Sequence, residues 1–349
     1  MPESHFNTRI AQVSKYLEII AISVLFLYFG KSLFVPLLFG LLISFISYPI
    51  CKWLELRRIP RSLAIALVML LIIALFWLLL SIMGYELNAF LKDVPIVADK
   101  FEAYSPGIQA WIENNLGLDP EKQSGWMQKI ITDLENGLMG TLKSIFSATI
   151  STVFMLVMIP IYASLFLYHR SVFVRFLESL VGSRYRDRLH GVLKESIQTY
   201  FHFVKGTFFV YLIVGILNSA GLLALGIQHA ILYGMLTAFM TIIPYVGIII
   251  SASMPVLIAL ITKDSLWYPA AVILIFTIVQ YLEANVIFPR VVGAQLNIST
   301  WSTLVGIFAG TILWGVSGMI LFIPFLGILK IFTGEIEELS PINILLSRK

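Results

Sequence analysis

Residues 266 to 290 read LWYPAAVILIFTIVQYLEANVIFPR. Up to its last residue this stretch carries a single charge, Glu283, and it is long enough to cross a hydrocarbon core of about 30 Å. The whole chain resembles it. Of 349 residues, 58% are hydrophobic and 13% charged, against about 25% charged in soluble globular proteins, and mean hydropathy is +0.90. A soluble fold of this size could not cover its surface with so few polar side chains, so the sequence predicts an all-α polytopic membrane protein.

Further apolar runs lie near residues 17–30, 33–50, 62–85, 145–168, 206–227, 230–243, 245–262, 301–314 and 316–333. Those at 230–243 and 301–314 are too short to cross alone. They precede a shared pattern, IIPYVGI at Ile242 to Ile248 and FIPFLGI at Phe322 to Ile328. Proline removes a backbone donor, and such breaks persist at membrane depth only where protein or water satisfies the freed groups. The expectation is therefore about six full transmembrane helices plus two Pro/Gly-broken re-entrant hairpins, 230–262 and 301–333. Eight conventional spans are the alternative.

Lysine and arginine orient the spans. Lys52, Arg57, Arg58 and Arg61 come after the second run, and Arg170, Arg175, Arg184, Arg186, Arg188, Lys194 and Lys205 after the fourth, which places both groups in the cytoplasm. Residues 88–144 hold five lysines, no arginine and eight acids, as an external segment should. The N-terminus, with Arg9 and Lys15 and no A-x-A-type cleavage site, reads as retained and cytoplasmic. The hairpin arrangement keeps Arg290 and the C-terminus inside as well. This orientation sets the domain boundaries: 1–86 with three spans, 87–144 external and amphipathic, 145–169 a fourth span, 170–205 basic and cytoplasmic, 206–333 the transport core, and 334–349 a cytoplasmic tail. Leu189, Val192, Leu193, Ile197, Tyr200 and Phe201 recur at helical spacing, as expected of a helix on the headgroups or against a neighbouring subunit.

Charge buried in hydrocarbon needs a reason, and Glu283 is the clearest case. Continued as an α-helix, Gln280, Glu283, Ile287 and Arg290 fall within an arc of about 80°, one polar face. A structural ion pair with Arg290 and a place on a transport pathway are both readings, and the cost of a membrane carboxylate favours the second. Asn218 and Asn285 are further candidates because amides are hard to hide, with Ser251, Ser253 and Thr277 behind them. Soluble-type catalytic motifs do not occur. GVSG at Gly315 to Gly318 has the form of an intramembrane serine protease motif, yet no histidine comes after His229 to act as base. Neither a metal centre nor a cofactor is expected, and one cysteine, Cys51, precludes an internal disulfide.

IIPYVGIIISASMPV (242–256), YLEANVIFPRVVGAQLNIS (281–299) and GIFAGTILWGVSGMILFIPFLGILK (306–330) resemble the signature region of the autoinducer-2 exporter family of bacterial membrane proteins, and FVPLLFGLLISFISYPICKWL (34–54) resembles its second span. Pro244, Tyr245 and Gly247 match that family's P-Y-x-G turn. Glu283, Asn285, Pro289, Arg290 and Gly293 match its E-x-N-x-x-x-P-R-x-x-G run, and Gly306, Gly310, Gly315, Gly318 and Pro324 match its last glycine-rich segment. The resemblance implies a multispan carrier of the bacterial inner membrane that exports the signal autoinducer-2, or exchanges sodium or lithium for protons, and that assembles as a homo-oligomer, a pentamer. The expected substrate- or ion-binding residues are Glu283, Asn285, Arg290, Gln280, Tyr245, Ser251 and Asn218. The expected hinges are Pro244, Gly247, Pro289, Gly293, Gly315, Gly318 and Pro324. The two hairpins are expected to meet near the midplane. Beyond the lipid bilayer and a small solute or ion, no nucleic-acid partner is expected. A membrane scaffold that transports nothing is the remaining alternative.

Overall fold

A computed structural model describes residues 15, 18–19, 21–79, 81–82, 84–85, 149–181, 185–242, 246–263, 265–293 and 295–348. Residues 87–144, the segment expected to be external, and Pro244 and Tyr245 lie outside them. Among the described residues there is no strand, only an isolated antiparallel bridge between Ile298 and Ser347.

After a helical stretch at 21–29 come α1 (Lys31–Leu56), α2 (Arg61–Leu79), α3 (Thr149–Tyr168), α4 (Arg170–Val181), α5 (Arg186–Ala224), α6 (Ala230–Met240), α7 (Val246–Thr262) and α8 (Trp267–Leu282). A π-helix, Glu283–Ile287, extends α8 into the short α9 (Phe288–Val291). The chain ends in α10 (Thr300–Trp314), α11 (Val316–Gly334), a 3₁₀ turn (Glu337–Leu339) and α12 (Ser340–Leu346). Among the described residues, five helices are long and apolar enough to cross a membrane, or six if α3 and α4, bent by 70°, count as one span. Large apolar side chains such as Leu70, Trp77, Phe308 and Ile312 are exposed, as lipid-facing residues would be. This is a polytopic all-α membrane protein.

The chain divides into two compact units, one of Met1–Leu70, Met155–Val204 and Ala294–Lys349, the other of Leu71–Phe154 and Lys205–Gly293. In the first, Val35, Leu42, Tyr200 and Leu321 form a buried core. The amphipathic stretch 186–205 is continuous with the span after it, a single helix of 39 residues. At 1.5 Å per residue, α5 is about 58 Å long, nearly twice a hydrocarbon core. Its apolar stripe is buried by the protein itself: Leu189, Val192 and Tyr200 are covered, and Arg188 donates to the Glu335 carbonyl at 3.0 Å. Tyr200 shares a core with Leu321 of the C-terminal hairpin, so part of the stripe expected to face headgroups or a neighbouring subunit is covered by the chain itself.

That hairpin, α10 and α11, turns at Gly315, where φ is +63° and an L side chain would be strained. A Cβ at Gly318 would overlap the Gly310 carbonyl oxygen, so the two backbones touch. Pro324 is buried inside α11, which runs through it unbroken. The break expected at Pro324 falls instead at Gly315. Gly318 is accordingly a packing residue, not a hinge. The C-terminal residues also dock: Ser299 and Ser302 hydroxyls both donate to the Leu345 carbonyl at 2.9 Å, and Asn343 Nδ2 donates to that of Lys330 at 2.7 Å.

In the second unit, Leu222, Tyr233, Ile258, Ala259, Val272 and Phe276 belong to one core shared by α5, α6, α7 and α8. Helix α6 has 11 residues, about 16 Å, and α10 has 15, about 22 Å. Neither crosses a core of about 30 Å by itself. The two Pro-x-x-Gly motifs are not equivalent, however. The first lies at the α6–α7 corner, where Gly247 packs against the Met240 carbonyl, whereas the second is inside α11.

Candidate functional site

The second unit carries the candidate site. Buried residues on α8 are Val272, Phe276, Val279 and then Glu283, the helical spacing of a stripe facing protein. Glu283 is 7% exposed, and its Oε2 is buried with no hydrogen-bond partner. It opens the π-helix. In such a helix the backbone bonds shift to i→i+5, a rare local distortion found disproportionately at functional sites.

Helix α5 lies against this element. A Cβ on Gly206 would meet the Val291 carbonyl oxygen at 3.0 Å and Val292 Cα at 3.1 Å, and one on Gly221 would meet Ile275 Cγ2 at 2.6 Å. The two helices therefore run antiparallel in close contact for about 22 Å, with Glu283 roughly level with residues 213 and 214. Tyr211, Asn218 and Thr207 lie on the stretch of α5 between those two contacts. Asn218 is wholly buried. Its Nδ2 donates to the Val214 carbonyl at 3.0 Å, leaving Oδ1 without a partner, and Thr207 Oγ1 is likewise buried and unpartnered. Ser251 is also wholly buried, its hydroxyl donating to the Ile248 carbonyl at 3.2 Å.

Glu283, Asn218 and Ser251 are thus all buried within the second unit, with Gln280 half-buried one turn before Glu283. It does not bring Arg290 to the same face. Arg290 and Asn285 are exposed, and Asn285 Nδ2 donates to the Tyr281 carbonyl at 2.9 Å. The single polar face read from α-helical spacing fails because the wider π turn rotates α9 relative to α8. Pro289 is the second residue of α9, and Gly293 closes that helix at φ +63°. Gly247 belongs to this unit and Gly315 and Gly318 to the other. Tyr211 and Thr207 escaped the sequence reading. Their signal was the spacing 207, 211, 218, one helical stripe with Asn218, hidden because single hydroxyls in spans are common.

The oxygen-rich arrangement can accept a hydrogen-bond donor, a proton or a hard cation. The family described as AI-2E family transporter matches residues 17–338. The chain belongs to that family. Among its relatives, "AI-2 transport protein TqsA" of Escherichia coli K12 is 24% identical over 330 residues, covering 91% of this chain and 90% of that one. "Putative transport protein YueF" of Bacillus subtilis 168 is 24% identical over 323 residues, 90% of this chain and 87% of the other. A third, "Putative transport protein YrrI" of the same bacterium, is 23% identical over 308 residues, with 86% of each chain covered. This AI-2E family member is thus a multi-pass membrane transporter.

Proposed function

We propose that this transporter is a secondary carrier of the bacterial cytoplasmic membrane that exports a small polar solute by alternating access, without ATP hydrolysis. The observation that carries this reading is the buried, partnerless carboxylate oxygen of Glu283 at the start of a π-helix. A carboxylate kept in that state weakens the fold, which is expected of a group reserved for a ligand. Autoinducer-2 is the candidate solute, on the strength of the name of the relative TqsA. A hydroxylated furanone would be held by hydrogen bonds to Glu283, Asn218 and Ser251.

Exchange of sodium or lithium for a proton is the second reading, favoured by a donor set made only of oxygens. There the cation would take Glu283 Oε2 and Asn218 Oδ1 as the carboxyl proton leaves, and reprotonation would release it. Protein in liposomes distinguishes the two. Autoinducer-2 efflux that needs no ion gradient supports the first, and a sodium-driven collapse of a pH gradient, lost in Glu283→Gln, supports the second. Neither activity in folded wild-type protein would refute both and leave the scaffold. Both termini are proposed to be cytoplasmic, the hairpins re-entrant and the assembly homo-oligomeric.

A further inference from the structure

The first unit has a polar cluster of its own, where the turn between α1 and α2 meets the end of α3. Arg61 Nη2 donates to the Leu167 carbonyl at 2.5 Å, and Arg170 Nη2 to Glu55 Oε2 at 2.6 Å. Arg170 lies 5.2 Å from the centre of the Tyr48 ring and Arg61 5.7 Å from that of Tyr168. The cluster holds two guanidinium groups and one carboxylate, which pairs with Arg170, so these three groups keep a net positive charge. Arg61 Nε, Arg170 Nη1 and Glu55 Oε1 are buried without partners. A guanidinium cannot shed its charge, and an idle N–H on it is costly away from water. An anion with several oxygens in a compact arrangement, the geometry of a phosphate, would satisfy both guanidinium groups.

Depth is the second observation. Helix α4 leaves α3 at 70° immediately beside Arg170 and exposes Val172, Phe173, Phe176 and Leu180, together with Arg175. An amphipathic helix turned away from a span lies in the headgroup layer. On the α1 side Trp53 and Leu56 are exposed, and Arg57 stacks 3.8 Å over the Trp53 ring, an interfacial pairing. We propose that Arg61 and Arg170 together bind the phosphate of an anionic phospholipid headgroup, displacing Glu55 from Arg170, with the acyl chains on the exposed apolar side chains of α4. Basic pockets between membrane helices recognise anionic lipids in this way.

The test is titration of delipidated protein in neutral detergent with short-chain phosphatidylglycerol or phosphatidylcholine, read by native mass spectrometry and thermal melting. Wild-type protein should bind the anionic lipid about tenfold or more tightly than the zwitterionic one. Arg61→Gln and Arg170→Gln should each abolish that preference, and Arg175→Gln should keep it. Glu55→Gln should increase affinity, because it removes the competing carboxylate. A merely structural ion pair predicts instead a lower melting temperature and no gain in affinity for Glu55→Gln, which keeps the test decisive if the arginine variants fail to fold. Preference retained in Arg61→Gln would overturn the proposal. So would inorganic phosphate binding as tightly as phosphatidylglycerol, which would assign the arginine pair to a soluble anion.

Discussion

Replacing Glu283 with methionine should stabilise this protein while it stops transport. Methionine is close to glutamate in length and removes the partnerless Oε2 from a position 7% exposed. A buried acceptor left without a donor costs about 1–3 kcal/mol, so its removal should raise stability by that order. For a bundle of this size, where 1 kcal/mol moves the midpoint by about 2–4 °C, melting should rise by a few degrees. Val279→Ala, one turn earlier on the same buried stripe, provides the opposite sign, since a cavity there should cost about 1–3 kcal/mol. Melting in detergent and solute or ion flux in liposomes would be measured on the same preparations. Should Glu283→Met melt below wild type by as much as Val279→Ala, the carboxylate has a structural partner and the site assignment fails. Retained flux in Glu283→Met would refute it equally.

A side chain at Gly318 cannot fit against the Gly310 carbonyl oxygen, so Gly318→Val should open the α10–α11 hairpin, cost about 1–3 kcal/mol or more, and lower the melting point. Gly247→Val should do likewise at the α6–α7 corner, where the Met240 carbonyl oxygen blocks a Cβ. Arg290→Cys in a Cys51→Ser background should react with impermeant maleimide from the cytoplasmic face. Native Cys51 is wholly buried and Arg290 exposed, so the label would report on position 290, and external labelling would remove the re-entrant hairpins. On α4, proposed above to lie in the headgroup layer, burial raises the Glu178 carboxyl, but hydrogen bonds and charge from Arg186 and His190 outweigh it and hold it below the usual carboxylate range. The contribution of Glu178 should therefore be present at neutral pH and disappear as pH falls through its depressed value. The melting difference between wild type and Glu178→Gln should vanish under strong acid, and one unchanged by acid would show that the pairing contributes nothing.

Candidate residues were legible because membrane insertion makes polarity conspicuous. Glu283 and Asn218 stood out as groups hydrocarbon penalises, and both prove buried. Arg290 was misread because sequence periodicity assumes α-helical winding, and nothing in EANVI announces a π turn. Arg61, Glu55 and Arg170 carried no local signal beyond charge and topology. Their meeting joins positions 115 residues apart, which no local pattern encodes.

By itself the sequence determined that the chain lives in a bilayer, where its long apolar runs lie, and which residue would be costly there, since each depends on the free energy of moving side chains between water and hydrocarbon. The tertiary structure decided which polar atoms keep partners and which do not. It showed Asn218 Nδ2 satisfied and Oδ1 idle, the α11 helix running through Pro324, and the stripe of α5 covered by its own chain. Those outcomes depend on close packing between segments far apart in sequence, and transfer free energies do not encode that packing.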